Sequence, residues 1–133
     1  MKRTIPLLLI LFSLTCSSFV SAKDHYLRFN AVQFSADDEI KRYSELGYIK
    51  ANQDYSVIEI KFPDQRKSTY CDVIDYEIRD IKGVNGVYFD LTSAGKSFNL
   101  FTFTNYIAGN IEFIAVLIFG NEGEQSATFL LIK

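Results

Sequence analysis

Short runs of residues that alternate between apolar and polar recur along almost the whole chain after residue 25. Val, Ile, Thr, Tyr and Phe are concentrated in these runs, and clusters of Gly, Asn and Asp separate them. Such alternation is typical of β-strands joined by tight turns, because successive side chains of a strand point to opposite faces of the sheet. The pattern predicts eight strands, near residues 26–34, 47–51, 55–62, 69–82, 87–92, 97–104, 111–119 and 126–132.

The connections between the later strands are short. Asn85-Gly86 is a hairpin signal because both residue types tolerate a positive φ, and Ala94-Gly95, Gly109-Asn110 and the segment 120–123 mark further reversals. Short connections force strands that follow each other in sequence to pair antiparallel, which favours a meander. We therefore predict an all-β fold, an eight-stranded antiparallel meander that forms a small closed or partly open barrel.

Eight strands joined in this way enclose an interior that is either filled by side chains or holds one small ligand. In architecture alone, the predicted barrel resembles the lipocalin-like barrels. The Gly-x-Trp fingerprint of that family is absent because the chain has no Trp. The resemblance therefore implies a fold and no function.

Alternation also predicts which side chains face the core. The strand near 55–62 places its polar residues, such as Lys61, on the outer face. In the strand near 69–82, Cys71 falls on the face that alternation makes outward, opposite the apolar set that includes Tyr76 and Ile78. The clearest inward positions are Ile58, Ile60, Phe62, Val87, Phe89 and Leu91.

The segment from Ser35 to Leu46 is the least regular part of the domain. Ser35 can cap a helix, and Ile40 and Tyr43 would then lie on one narrow apolar stripe before Gly47. One short helix and an irregular loop with a single turn are equally compatible with this pattern.

The N-terminus has the layout of a secretory signal: a basic start, an apolar run over residues 4–14, and small or polar residues up to Ala22. The apolar run is shorter than the roughly 20 residues of a membrane-spanning helix. We predict a signal peptide over residues 1–22 and a single β-rich domain over 23–133, secreted or periplasmic. Cys16 allows a second interpretation, a lipid anchor, although Thr15 before it does not fit a lipoprotein signal.

Charge and residue types exclude several functions. Cleavage removes Lys2 and Arg3 but no acid, so the net charge falls from −2 to −4 and a nucleic-acid partner is disfavoured. His25 is the only histidine and lies close to the predicted mature terminus, so a histidine-based catalytic system or zinc site is short of groups. We predict no cofactor, no metal and no enzyme, and Asp75 with Glu77 is the one carboxylate pair left for hydrolysis.

The strand near 111–119 is apolar on both faces after Glu112, unlike the other strands. Its outer face is predicted either to lie under residues 36–46 or to bind a protein partner or a second copy through Ile114, Val116 and Ile118. A barrel that spans the membrane is disfavoured, because charged outward residues on other strands would face lipid. The leading hypothesis is thus an exported non-enzymatic interaction module with an unknown protein partner, and the alternative is a carrier of a small apolar ligand.

Overall fold

The computed structural model describes residues 24–35, 39–119 and 125–133. These residues form eight strands and no helix, and no helix long and apolar enough to cross a membrane is found among them. The predicted signal peptide and Cys16 lie outside the described residues. The strands are β1 (His25–Phe34), β2 (Ile40–Ala51), β3 (Val57–Lys61), β4 (Thr69–Ile81), β5 (Val84–Ser93), β6 (Lys96–Ala108), β7 (Ile111–Phe119) and β8 (Gln125–Ile132).

Each strand pairs antiparallel with the next along the chain, and β1 also pairs with β8, so the hydrogen-bonded neighbours form a ring. The predicted antiparallel meander of eight strands is confirmed. Three ladders are short, with four residue pairs each: those between β1 and β8, between β2 and β3, and between β3 and β4. The strands form a small barrel, and β3 is the shortest of them, with five residues.

The helix proposed for residues 35–46 is wrong, and so is the irregular loop. Residues 40–46 form the first half of β2, where Ile40, Lys41 and Arg42 pair with the end of β1. A short helix is marginal in water unless an apolar face packs, whereas the ladder to β1 pairs the backbone of the first three residues of this segment. The predicted strand at 47–51 is therefore the second half of a strand of twelve residues.

The turn between β4 and β5 is also displaced from its predicted position. It consists of Lys82 and Gly83, with φ values of 53° and 84°, while Asn85 and Gly86 lie within β5. Gly86 is needed because a Cβ there would be 1.9 Å from the carbonyl oxygen of Thr102 on the neighbouring strand. The glycine allows close approach of two strands, and the tight turn is formed three residues earlier.

The inward side chains fill the middle of the barrel. Ile58, Ile60, Phe89 and Leu91 are each at most 3 % exposed, which confirms the core face predicted for β3 and β5. Three rings form the centre of this core: Phe29 lies 4.7 Å from Phe129, and Phe62 lies within 6 Å of both. The interior is thus packed in the middle, which leaves free space only towards the two ends.

The outward placement of Cys71 is wrong. Its side chain is 1 % exposed, and burial raises the pKa of the thiol to about 11. The register of β4 against β5 shifts between Val73 and Asp75, so the residue between them forms a bulge. Because a bulge reverses the alternation, Cys71 faces inward before it, and Tyr76 contacts the core ring of Phe89 after it.

Candidate functional site

A cavity lined by described residues opens at one end of the barrel, which we call the mouth. β1, β3, β5 and β7 end here, and β2, β4, β6 and β8 begin here. The cavity has a volume of about 980 Å³. Its described lining residues are Phe34, Phe62, Thr69, Ser93, Lys96, Ser97, Phe98, Leu117, Phe119, Gln125 and Ala127.

Strand pairing places the apolar lining residues on the core face. Phe98 lies opposite the buried Leu91, and Leu117 lies opposite Leu100 on one side and Ala127 on the other. Phe34 also pairs with Ala127, across the junction of β1 and β8. Paired residues of neighbouring strands share one face of a sheet, so the pocket is a continuation of the barrel interior.

The floor of the pocket is the aromatic layer at the centre of the core. Phe62 lines the pocket and contacts the rings of Phe29 and Phe129, both of which are fully buried. Phe34, by contrast, is 37 % exposed. The walls therefore change from dry aromatic packing at the bottom to solvent-exposed aromatic surface at the rim.

Polar groups gather on one side of the mouth, around the turn formed by Ala94 and Gly95. Ser93 ends β5, and Lys96 and Ser97 begin β6 directly after the turn. The Ser93 hydroxyl donates a hydrogen bond of 2.9 Å to the backbone carbonyl of Tyr70, which ties this turn to β4. Among the described lining residues, Lys96 is the only charged one, so this part of the rim places a positive charge above apolar walls.

This arrangement suits a ligand with an apolar body and one polar or anionic end. Aromatic and aliphatic walls remove apolar surface from water, while a cation and hydroxyl groups at the rim can solvate a head group that stays near solvent. The described lining residues include no carboxylate and no histidine, and among them only hydroxyl groups and one amine could act chemically.

The carboxylate pair singled out from the sequence lies elsewhere. Asp75 and Glu77 are exposed on the outer face of β4. The Asp75 carboxylate accepts a hydrogen bond of 2.9 Å from the backbone N–H of Tyr76, and Glu77 forms an ion pair with Arg79 of the same strand. Neither residue lines a described cavity.

His25 lies at the end of the barrel opposite the mouth, beside a smaller cavity of about 260 Å³. Its ring stacks on Tyr55 with centroids 4.5 Å apart, and Tyr55 in turn contacts Tyr76 and Phe89. Groups of three or more metal-ligating side chains are not found within the described ranges. The histidine is thus part of an aromatic stack.

The three residues of the predicted contact face do not share one environment. Ile114 lies where the register of β7 shifts against both neighbouring strands, and it is 4 % exposed within the core cluster. Val116 and Ile118 are half-buried and lie opposite Phe101 and Asn99 of β6. Residues 40–46 do not cover this face, because they belong to the sheet itself. Binding of a partner here stays a prediction that involves Val116 and Ile118.

The mouth pocket was not predicted from the sequence. Its four phenylalanines all lie close to a strand end at the mouth. Phe34 and Phe119 are the last residues of their strands, Phe62 directly follows a strand, and Phe98 is the third residue of another. In a meander, these four positions meet at one end of the barrel. The signal was present as inward-facing phenylalanines beside alternate turns.

Comparison with known proteins adds no relative. No protein-family model matches the chain, and no curated protein and no solved structure matches it. The pocket itself is therefore the basis for a functional proposal.

Proposed function

We propose that the mature domain is an exported carrier that binds a small, mainly apolar ligand in the mouth of its barrel. The observation that supports this function most strongly is the pocket of about 980 Å³, whose apolar walls are continuous with the core face. Cavities that bind small molecules typically measure about 300–1,000 Å³. The alternative of a ligand carrier is thereby preferred over a purely protein-binding module.

The ligand we propose is an amphiphile with a hydrocarbon or aromatic body and an anionic group at one end. The body packs between Phe34, Phe98 and Leu117, and the anionic group lies at the rim near Lys96 and Ser97. A fully apolar ligand would leave the charge of Lys96 unused, and a strongly polar one would leave the aromatic walls in contact with polar atoms, which is unfavourable. The chemical class is thus set by the two ends of the pocket.

Charge reversal at the rim should weaken the binding of such a ligand. We expect the mature protein to bind cis-parinarate, a fluorescent long-chain carboxylate, and Lys96→Glu to raise the dissociation constant about tenfold or more, because attraction is replaced by repulsion near the head group. Fluorescence titration measures the effect. The matched control is Lys82→Glu, a turn lysine at the opposite end of β5, about 30 Å away and beyond the reach of screened charge.

A second pair of variants tests the apolar wall. Phe34→Ala should weaken binding of the same probe, whereas Tyr70→Ala, which removes an exposed aromatic ring outside the pocket, should not. Saturable binding that is insensitive to Lys96 and Phe34 would place the probe elsewhere and reject the mouth as the site. Absence of binding would reject the carrier function for this class of ligand.

The export part of the proposal rests on the sequence of residues 1–22. In a host with a general secretion system, the protein should be recovered outside the cytoplasm with Lys23 as its first residue. Mass spectrometry of the fractionated protein measures this. A chain that retains Met1, or one that carries lipid on Cys16, would contradict soluble export.

A further inference from the structure

We propose that two copies of this domain associate through the free edge of β4, by antiparallel pairing about a two-fold axis that passes through Ile78. This inference is independent of the ligand pocket, because the edge lies at the end of the barrel opposite the mouth. Two neighbouring strands, β3 and β4, differ greatly in length. β4 has thirteen residues and β3 has five.

Only the first part of β4 is paired on both sides. The ladder between β3 and β4 ends at the pair Val57 and Asp72, and the N–H of Val73 donates one further hydrogen bond, of 2.9 Å, to Ser56. From residue 74 to residue 81, β5 is the only strand in the described part of the chain that pairs with β4. The other edge of this segment therefore presents backbone groups without a ladder partner.

The turn of the hairpin shows which backbone groups point to the free edge. A turn of two residues makes Ile81 and Val84 a hydrogen-bonded pair, and such pairs alternate along an antiparallel ladder. The backbone groups of odd-numbered residues of β4 then form hydrogen bonds with β5. The backbone N–H and C=O groups of Tyr76, Ile78 and Asp80 point away from β5, to the free edge. Consistent with this, the N–H of Tyr76 donates to the carboxylate of Asp75 and not to a strand.

This segment includes large apolar side chains that are unusually exposed, beside four charged residues. Ile78 is 84 % exposed and Ile74 is 63 % exposed, more than any other large hydrophobic side chain among the described residues. Natural proteins protect such an edge with charged side chains, above all lysine, or with proline, a bulge or a short strand. The segment 74–81 has the bulge at Ile74 and four charged residues, but it is eight residues long and contains no lysine and no proline. An edge of this kind is a template for a further strand.

Charge complementarity identifies a second copy as the added strand. With the two-fold axis at Ile78, Glu77 of one copy lies opposite Arg79 of the other, and the reverse pair forms by symmetry. Ile78 then meets Ile78 of the second copy. In this register the backbone N–H and C=O groups of Tyr76, Ile78 and Asp80 in both copies would form about six hydrogen bonds across the contact.

The neighbouring registers are all electrostatically worse. An axis at Glu77 sets Glu77 against itself, and an axis at Arg79 sets Arg79 against itself. An axis at Tyr76 sets Asp75 against Glu77. Like charges directly opposite each other destabilise a pair of strands, so the register centred on Ile78 is selected. Arg79 already lies over the ring of Tyr88, with its guanidinium carbon 4.0 Å from the ring centroid, and pairs with Glu77 of its own strand. In the dimer the two charges of each copy would face those of the other.

The contact surface is a single strand edge, so the dimer should be weak. Interfaces of this size belong to the low end of specific contacts, and we expect a dissociation constant on the order of 1–100 µM. Sedimentation velocity of the mature protein over a concentration series that spans this range should show a reversible shift from monomer to dimer. A protein that stays monomeric at every concentration would overturn the proposal. So would the finding that this edge binds only lipid vesicles or an unrelated protein.

Charge variants test the partner and the register together. Arg79→Glu and Glu77→Arg should each weaken the dimer at least about tenfold, because both reciprocal pairs become repulsive. The double variant, Glu77→Arg with Arg79→Glu, should restore it. Circular dichroism checks that each variant is folded. A dimer that persists unchanged in Arg79→Glu would show that another surface joins the copies.

Cross-linking locates the axis. Ile78→Cys should form a disulfide-linked dimer on mild oxidation, because Cα atoms of a hydrogen-bonded pair lie about 5.5 Å apart, within the range of a disulfide. Ile81→Cys is the matched control on the same strand, since its counterpart would be far away. Equal cross-linking of the two variants would reject the register, and the result does not depend on whether the mouth binds a ligand.

Discussion

The Ile60→Asp variant is expected to be unfolded, or nearly so, at room temperature. Ile60 is 3 % exposed and lies between Ile49 of β2 and Thr69 of β4. A carboxylate at this position would be buried without a partner, which costs several kcal/mol, and a domain of this size is stable by only about 5–15 kcal/mol. Urea denaturation followed by circular dichroism should show the loss.

Lys61→Asp is the matched control, because Lys61 follows Ile60 in the same strand and its side chain points to the outer face. Lys61 is half-buried beside Tyr48, and we expect this variant to lose less than about 1 kcal/mol. If Ile60→Asp gives no folded protein, Ile60→Ala remains measurable, with an expected loss of about 2–5 kcal/mol. Equal losses for Ile60→Asp and Lys61→Asp would place β3 one residue out of register.

Period-two alternation and turn residues predicted the number, order and pairing of the strands. The predicted strand near 111–119 coincides with β7, and the other strands overlap their predictions. The largest error is the first half of β2, where Ile40 and Tyr43 satisfied a helical spacing as well as a strand pairing. A short polar segment shows little helical or strand periodicity, so its conformation depends on whether a neighbouring strand pairs with it. That pairing depends on residues distant in sequence, and a local pattern does not reveal it.

The bulge in β4 shows a second limit. Alternation assigns faces correctly only while the register is unbroken, and one extra residue near Ile74 exchanges the faces of everything that follows. The sequence from Cys71 to Tyr76 therefore suggested an outward thiol and a regular strand. Tertiary packing determined the bulge, because it allows both Cys71 and Tyr76 to contact the core.

The mouth pocket depends on closure of the ring, which a sequence pattern does not reveal. Phe34, Phe62, Phe98 and Phe119 belong to or follow four different strands, and they meet only because β1 pairs with β8. Whether an interior is filled depends on the sum of many side-chain volumes. In this barrel the rings of Phe29, Phe62 and Phe129 fill the centre, so the two described cavities lie towards the ends, the larger of them at the mouth.

The two proposals place their surfaces at opposite ends of the barrel. The β4 edge lies beside the turn at residues 82–83, and Lys96 lies beside the turn at the other end of β5. In a dimer with its two-fold axis at Ile78, both mouths remain open to solvent, because neither contributes to the contact. Ligand binding and association should therefore be uncoupled, so that Arg79→Glu leaves the affinity for cis-parinarate unchanged and Lys96→Glu leaves the dimer intact.

The buried thiol of Cys71 provides a sensitive measure of opening of the barrel. Only a thiolate reacts with a disulfide reagent such as dithiobis(nitrobenzoate), and the reagent must reach the sulfur. A rise in pKa from 9.0 to about 11 lowers the thiolate fraction at pH 8 about a hundredfold, and burial requires an opening step as well. We expect labelling of the folded protein to be at least about a thousandfold slower than labelling in urea. Rapid labelling of the folded protein would contradict the inward placement of Cys71.

The same thiol should make the domain less stable as the pH rises from about 9 to about 11. In this window the unfolded chain releases the proton of Cys71 while the folded chain retains it, so unfolding is favoured by about 1.4 kcal/mol for each pH unit. Below pH 9 the thiol is protonated in both states and contributes no slope. Tyrosine and lysine side chains also titrate in this range, and Cys71→Ala is the control that contains all of them. The expected result is a steeper fall in the free energy of unfolding for the natural protein than for Cys71→Ala, measured by urea denaturation at intervals of pH. Parallel curves would show that the thiol is solvated and that β3 and β4 do not bury it.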